Sequence, residues 1–210
     1  MKALILVDIQ NDFLPGGSLP VPNGNQILPC INRLMDLSFD VIVATKDWHP
    51  KDHGSFAIVH GYKPGTVIKL GGIDQILWPI HCVQDTTGSR FAPGWTVDRV
   101  EKVFLKGINP LIDSYSTFFD NARLRETGLE QYLRERSVDE VYIAGLATDY
   151  CVSYSALDSL DLGFKTYIIT DACRGIDLKK GDVERALNLI KAKGGQMVTT
   201  DQVEKILSAG

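Results

Sequence analysis

Residues 139–163 read DEVYIAGLATDYCVSYSALDSLDLG. An apolar, β-branched run ending at Leu146 passes within a few residues into a helical pattern. A strand that feeds directly into a helix is the building unit of an α/β sheet. The run is near-continuous in apolar residues rather than alternating, which suits a parallel strand covered on both faces. The same character recurs in KALILVD (2–8), DVIVATKD (40–47), EKVFLK (101–106), KTYIITD (165–171) and QMVTT (196–200). Helical patterns lie between these runs. Residues 25–38 place Ile27, Ile31, Leu34 and Met35 on one stripe, with Pro29 in the first turn. Residues 122–136 repeat Leu124, Leu129, Tyr132 and Leu133, and residues 183–195 repeat Val183, Leu187 and Ile190 before a glycine pair. The expected fold is α/β: a Rossmann-like open, mainly parallel six-stranded sheet with helices on both faces, in one domain over 1–210. The exception is the stretch from about 48 to 100, rich in Gly, Pro, His and aromatics. A long irregular insertion in such a domain is usually functional.

The net charge of −4 leaves no basic excess to neutralise phosphates, so a nucleic-acid partner is not expected. No apolar run approaches the ~18 residues of a membrane span, and neither a membrane association nor a secretory leader is expected. Cysteines 30, 82, 151 and 173 form no CxxC pair. Free thiols in a reducing cytoplasm are the reading for such a chain.

In open α/β sheets, sites form just beyond the carboxyl ends of the strands. Those ends carry Asp8, Asp47 with His49, Lys106, the 147–151 turn and Asp171. Cys151 on its own reads as a small buried hydrophobe. With Thr148 or Asp149 as N-cap, however, it falls in a first helical turn, where unpaired amides and the helix dipole favour a thiolate and lower its pKa. The same amides can cradle an oxyanion. Should the ends bearing Asp8, Lys106 and Cys151 be neighbours, a carboxylate, an ammonium and a thiol converge. That set performs acyl transfer through a thioester.

In DWHP, Asp47 and His49 are two apart, and Pro50 keeps His49 extended, so both side chains face one way. His81 in WPIHCVQ and His53 in KDHGSF are the available third arms of a metal site. Two histidines and a carboxylate leave coordination positions open for zinc, iron or manganese. An iron oxygenase would use the same triad, but such enzymes are commonly double-sheet β folds. His60 reads as surface loop and Cys82 as structural.

ALILVDIQNDFLPGGSLPVP, DWHPKDHGSF, WPIHCVQ, KGINPLIDSYSTFFDN, GLATDYCV and ITDACRG, in this order, span nearly the whole chain. Together they resemble the nicotinamidase/pyrazinamidase family of isochorismatase-like hydrolases. The resemblance implies a metal-containing cysteine amidohydrolase of NAD salvage that converts nicotinamide, and also pyrazinamide, to the acid and ammonia. It implies Asp8, Lys106 and Cys151 as the catalytic triad, and backbone amides of Ala147 and Cys151 as the oxyanion hole. Asp47, His49 and His81 match the ligands of one divalent ion, with zinc first among zinc, iron and manganese. Relatives differ in the loop after DWHP, which leaves open whether His53 is a direct ligand, and Ser55 would reach the metal through water. Phe13, Trp78 and Tyr115 match substrate-ring positions, and the family has a cis peptide where Leu146–Ala147 stands here. Relatives that cleave a vinyl ether need no such cysteine, and carbamoyl amidases lack the metal pair. The partner implied is a small-molecule substrate. The family includes monomers and homo-oligomers, so the resemblance does not fix the oligomeric state.

Overall fold

The computed structural model describes residues 1–208. Its centre is a six-stranded sheet built from β1 (Lys2–Val7), β2 (Val41–Asp47), β5 (Lys102–Lys106), β6 (Glu140–Leu146), β7 (Lys165–Arg174) and β8 (Gln196–Val198). The strand order is β5-β2-β1-β6-β7-β8, and every neighbouring pair is parallel. The apolar runs are continuous because both faces are covered. On β1, Leu4 and Leu6 enter one core while Ala3, Ile5 and Val7 enter the other. Helices α1 (Leu28–Asp36) and α5 (Thr200–Ser208) supply the first core with Ile31, Leu34 and Val203. Helices α2 (Leu129–Glu135), α3 (Ser153–Asp161) and α4 (Asp182–Ala192) supply the second with Leu129, Leu133, Ala156 and Ile190.

Strands added after β1 grow first to one side, through β2 and β5, and then to the other, through β6, β7 and β8. The switch of direction lies between β1 and β6, where a crevice opens at the carboxyl edge.

Three expectations need correction. The helix expected over 122–136 begins only at Leu129. Asp120 accepts hydrogen bonds from the amides of Ala122 and Leu124, which winds this stretch into a turn, and Leu124 is 72% exposed. Gly128, at φ 85°, then starts the helix. Strand β7 does not end at Asp171 but runs to Arg174. Asp171 accepts the amide of Thr200 and so tethers the start of α5, away from the site. The insertion is not wholly irregular either. β3 (Val67–Leu70) and β4 (Ile73–Ile76) form an antiparallel hairpin around Gly71–Gly72, a pair suited to the positive φ of a two-residue turn.

Candidate active site

Four adjacent strands, β5, β2, β1 and β6, end on polar groups. Lys106 is the last residue of β5 and pairs in register with Asp47, the last residue of β2. Asp8 follows β1, at φ 50°, and the Cys151 turn follows β6. Since β2 lies between β5 and β1, the Lys106 side chain must pass across the end of β2 to meet Asp8. It therefore touches Asp47 on the way.

Lys106 is 2% exposed, and its Nζ sits 2.8 Å from Asp8 Oδ2 and 3.3 Å from Cys151 Sγ. It also donates to the carbonyl of Ser114 at 3.0 Å and pairs closely with Asp47 Oδ1. The same ammonium thus faces the Cys151 thiol and the Asp47 carboxylate at once. A carboxylate oxygen of Asp8 lies within 4.8 Å of Cys151 Sγ. Thr45 Oγ1 donates to Asp8 Oδ1 at 2.6 Å, whereas Oδ2 accepts no aligned hydrogen bond and keeps a lone pair for a proton.

Burial is the largest influence on all these groups. It raises Asp8 to about 6, against the opposing pull of Lys106. It would also raise Asp47, but Lys106 and the neighbouring histidines hold that carboxyl well below the usual range. Burial would neutralise Lys106, but Asp47 and Asp8 keep it charged well beyond its ordinary range. For Cys151 burial wins outright: the thiol is pushed well up despite Lys106. This overturns the lowered pKa expected of a helix start. The local backbone explains part of the difference. Thr148–Val152 form a π turn, not the first turn of an α-helix, and its capping position is Ala147 with no side-chain cap. Asp149 turns away instead and accepts the amides of Ile176 and Asp177. The Leu146–Ala147 peptide is cis. The thiol therefore rests protonated beside Asp8, a carboxylate with a raised pKa.

Replacing Thr45 with valine should leave Asp8 Oδ1 without its donor and favour the neutral carboxyl. A reaction that uses ionised Asp8 is expected to slow as pH drops through about 6. In Thr45→Val this acid limb should move up by about one pH unit, because a hydrogen bond to a charged group contributes ~1.5–3 kcal/mol. A pH profile of kcat/KM measures the shift.

Beyond β2 the chain stays extended. His49 donates its amide to Cys82 and accepts from Gln84, forming a bridge with Val83. Gln10 clamps Asp47 from both sides of its backbone, donating to the carbonyl and accepting from the amide at 2.8 Å each. His49 Nε2 and His81 Nε2 lie 3.8 and 3.7 Å from Asp47 Oδ2. These spacings suit three ligands around one small ion, with metal–nitrogen distances of ~2.0–2.1 Å. Each histidine presents Nδ1 to a backbone carbonyl at 2.8 Å, Gly107 for His49 and Pro79 for His81. That contact puts the proton on Nδ1 and leaves Nε2 free to ligate. His49 Nε2 has no hydrogen-bond partner although it is buried. Burial pulls His49 down to about 4, so it stays neutral as a ligand must. The donor set fits a divalent ion.

His53 is fully buried and shares a second cluster with His49 and Asp113. Its Nδ1 accepts the Ser55 amide at 3.2 Å and meets Ser55 Oγ at 2.7 Å. Its Nε2 is buried without a hydrogen-bond partner, as that of His49 is. Burial lowers its pKa.

Gly107 sits at φ 66°, and a Cβ there would come within 2.3 Å of the His49 ring. Gly107→Ala should push that ring off Asp47 and His81. Loss of a ligand's orientation typically costs 10–100-fold in metal affinity. Metal retained after competition with a chelator reads the effect directly.

Phe13, Trp78, Tyr115 and Ala147 line a narrow cavity together with Asp47, His81 and Cys151. Trp78 Nε1 donates to Tyr115 Oη at 3.0 Å, and Gln75 donates to the same oxygen at 3.0 Å and to Asp113 at 3.2 Å. Inspection of the sequence missed Thr45, Gln75, Asp113 and three further walls, Leu19, Tyr150 and Ile176. Thr45 left one signal, a lone hydroxyl inside an apolar strand. His60 is exposed, and Cys82 is buried, as read from the sequence.

The family model of the isochorismatase domain matches residues 2–202. The chain is 45% identical over 201 residues to a nicotinamidase of Escherichia coli (strain K12), covering 94% of each. It is similar to the structure of an Acinetobacter baumanii nicotinamidase/pyrazinamidase, with TM-score 0.93, 42% identity, and 96% and 97% of the two chains covered. It is also similar to a Pyrococcus horikoshii pyrazinamidase in complex with zinc, with TM-score 0.76, 40% identity, and 94% and 98% covered. A sheet with this strand order, a polar cluster on four neighbouring strand ends and a match over almost the full chain lead to one conclusion: the protein belongs to the isochorismatase family.

Proposed function

We propose that this chain is a nicotinamidase, hydrolysing nicotinamide to nicotinate and ammonia and accepting pyrazinamide as well. The observation that carries the reading is the single ammonium of Lys106, 3.3 Å from Cys151 Sγ and 2.8 Å from Asp8 Oδ2, beside a cluster of Asp47, His49 and His81. In this reading Asp8 takes the proton of the Cys151 thiol and Lys106 holds both anions in place. Cys151 Sγ bonds to the carboxamide carbon, while the amides of Ala147 and Cys151 receive the developing oxyanion. Asp8 returns the proton to nitrogen as the C–N bond breaks, and ammonia departs. Asp8 then takes a proton from water, which attacks the thioester; as the Cys151–carbon bond breaks, Asp8 returns that proton to the departing sulfur, and nicotinic acid leaves as nicotinate after losing its own proton to solvent. Phe13, Trp78 and Tyr115 flank the pyridine ring.

Asp47, His49 and His81 would hold one divalent ion, with zinc the preferred occupant. When bound it serves as a template that orients the ring through its nitrogen. His53 stands beside this set, its ring 4.3 Å from that of His49 and its Nδ1 against Ser55. The activity belongs to NAD salvage, in one domain spanning the chain. Among the described residues no helix is long and apolar enough to cross a membrane, and the described cysteines are unpaired, which suits a reducing cytoplasm.

Ammonia release from nicotinamide, measured before and after treatment with a chelator, tests the reading. Release that falls on chelation and returns with zinc supports it. No release from nicotinamide by the zinc-loaded protein refutes it.

A further inference from the structure

The substrate cavity is narrow, with about 20 Å³ of free space at its centre, so the position of each wall bears on what fits. Most of its walls are fixed. Trp78 and Tyr115 are hydrogen-bonded to each other, and Asp47 and His81 are tied to Lys106 and Pro79. Tyr150 differs. Among the described residues its phenol makes no side-chain hydrogen bond; its ring meets Trp78 at 4.9 Å and Tyr115 at 5.5 Å edge-on and packs at the margin of the second core. Its side chain is half-buried, so one edge already reaches outward.

On the far side of Tyr150 lies a groove of about 530 Å³ between α3 and α4. Tyr154 and Leu157 of α3 with Leu178, Ala186 and Leu189 give it an apolar part, beside the charged Lys179, Asp182 and Arg185. Tyr150 is the residue common to the linings of cavity and groove. One phenol ring therefore stands between the narrow cavity and the wider groove.

We propose that Tyr150 is a movable partition that sets the upper size of the carboxamide, and that removing its ring admits aryl-extended heteroaromatic carboxamides whose second ring lies in the α3–α4 groove. The inference rests on the amidase reading given above. The groove's apolar side chains suit a fused aromatic ring, and burying such a ring away from water stabilises the bound state. The reaction itself is unchanged, because the pyridine nitrogen and the carboxamide keep their relative positions.

The test compares nicotinamide with quinoline-3-carboxamide, which keeps both groups and adds a fused ring. The wild-type protein should prefer nicotinamide strongly. Tyr150→Ala should raise kcat/KM for the quinoline substrate at least about tenfold over wild type, the discrimination that a small apolar pocket change brings. Tyr150→Phe keeps the ring and should keep the wild-type ratio. Adding Leu189→Trp to Tyr150→Ala fills the groove and should cancel the gain. Tyr150→Val serves as a second opening variant, with folding of each checked by circular dichroism. A folded opening variant that shows no gain on the quinoline substrate, or a gain that Leu189→Trp leaves intact, overturns the proposal. Wild-type inactivity on nicotinamide would instead sink the amidase reading, so the two failures are distinguishable.

Discussion

Cys151→Ala is expected to reduce nicotinamide hydrolysis by at least about 10⁴-fold, the scale on which removal of a nucleophile from a coupled triad acts. The fold should survive, because the change removes only a sulfur atom from a residue at the edge of a core that contains Ile5, Ile143 and Ile168. Metal content should be unchanged as well, since Asp47, His49 and His81 do not depend on the thiol for their spacing. The variant should still bind nicotinamide. Loss of turnover with retained binding, metal and melting temperature separates a chemical role from a structural one. Wild-type turnover in Cys151→Ala would remove the thiol from the reaction.

Lys106→Met should have the second-largest effect, and it should act on stability and activity together. The ammonium is buried between Asp8 and Asp47, and both are almost wholly removed from water. Without it two carboxylates face each other uncompensated. Removing one partner of a buried ionic group costs about 3–5 kcal/mol, which for a chain of this size lowers the melting temperature by roughly 10 °C or more. Asp8 should respond by holding its proton to higher pH, since Lys106 is the main influence opposing burial. A base protonated at neutral pH cannot accept the thiol proton, so turnover should fall by about 10³-fold or more. Metal affinity should change too, because Asp47 loses its partner. Thermal melts and a pH-rate profile of the variant check both parts. A variant of wild-type stability with wild-type turnover would show that the buried charges are balanced in some other way.

The sheet was legible because its signals are local. A run such as Leu4–Val7 is apolar on both faces, and that can satisfy only a strand covered twice. Asp8, Asp47 and Lys106 stood out because each ends an apolar run with an ionisable group. The link between them was not legible. Nothing in the spacing of Lys106 indicates that β2 lies between β5 and β1, and that order makes Lys106 touch Asp47 as well as Asp8. Thr45 was hidden because threonine is an ordinary strand residue. Asp113 was hidden because its stretch has no periodicity to depart from. Asp171 misled, for it follows an apolar run as Asp8 does, yet its carboxylate meets the amide of Thr200 across the sheet. The thiol of Cys151 misled in another way. Proximity to a helix start argues for an acidic cysteine, but full burial outweighs that position.

The central claim is a covalent one: Cys151 Sγ carries the acyl group between loss of ammonia and attack by water. Acid-quenching the zinc-loaded enzyme during turnover of nicotinamide, followed by peptide mass analysis, tests it most directly. The account predicts a nicotinoyl adduct on the Cys151 peptide, absent from Cys151→Ala and from enzyme quenched before substrate is added. Ammonia release at full rate with no acyl group on Cys151 under conditions that preserve thioesters, and with Cys151→Ala still active, would contradict it.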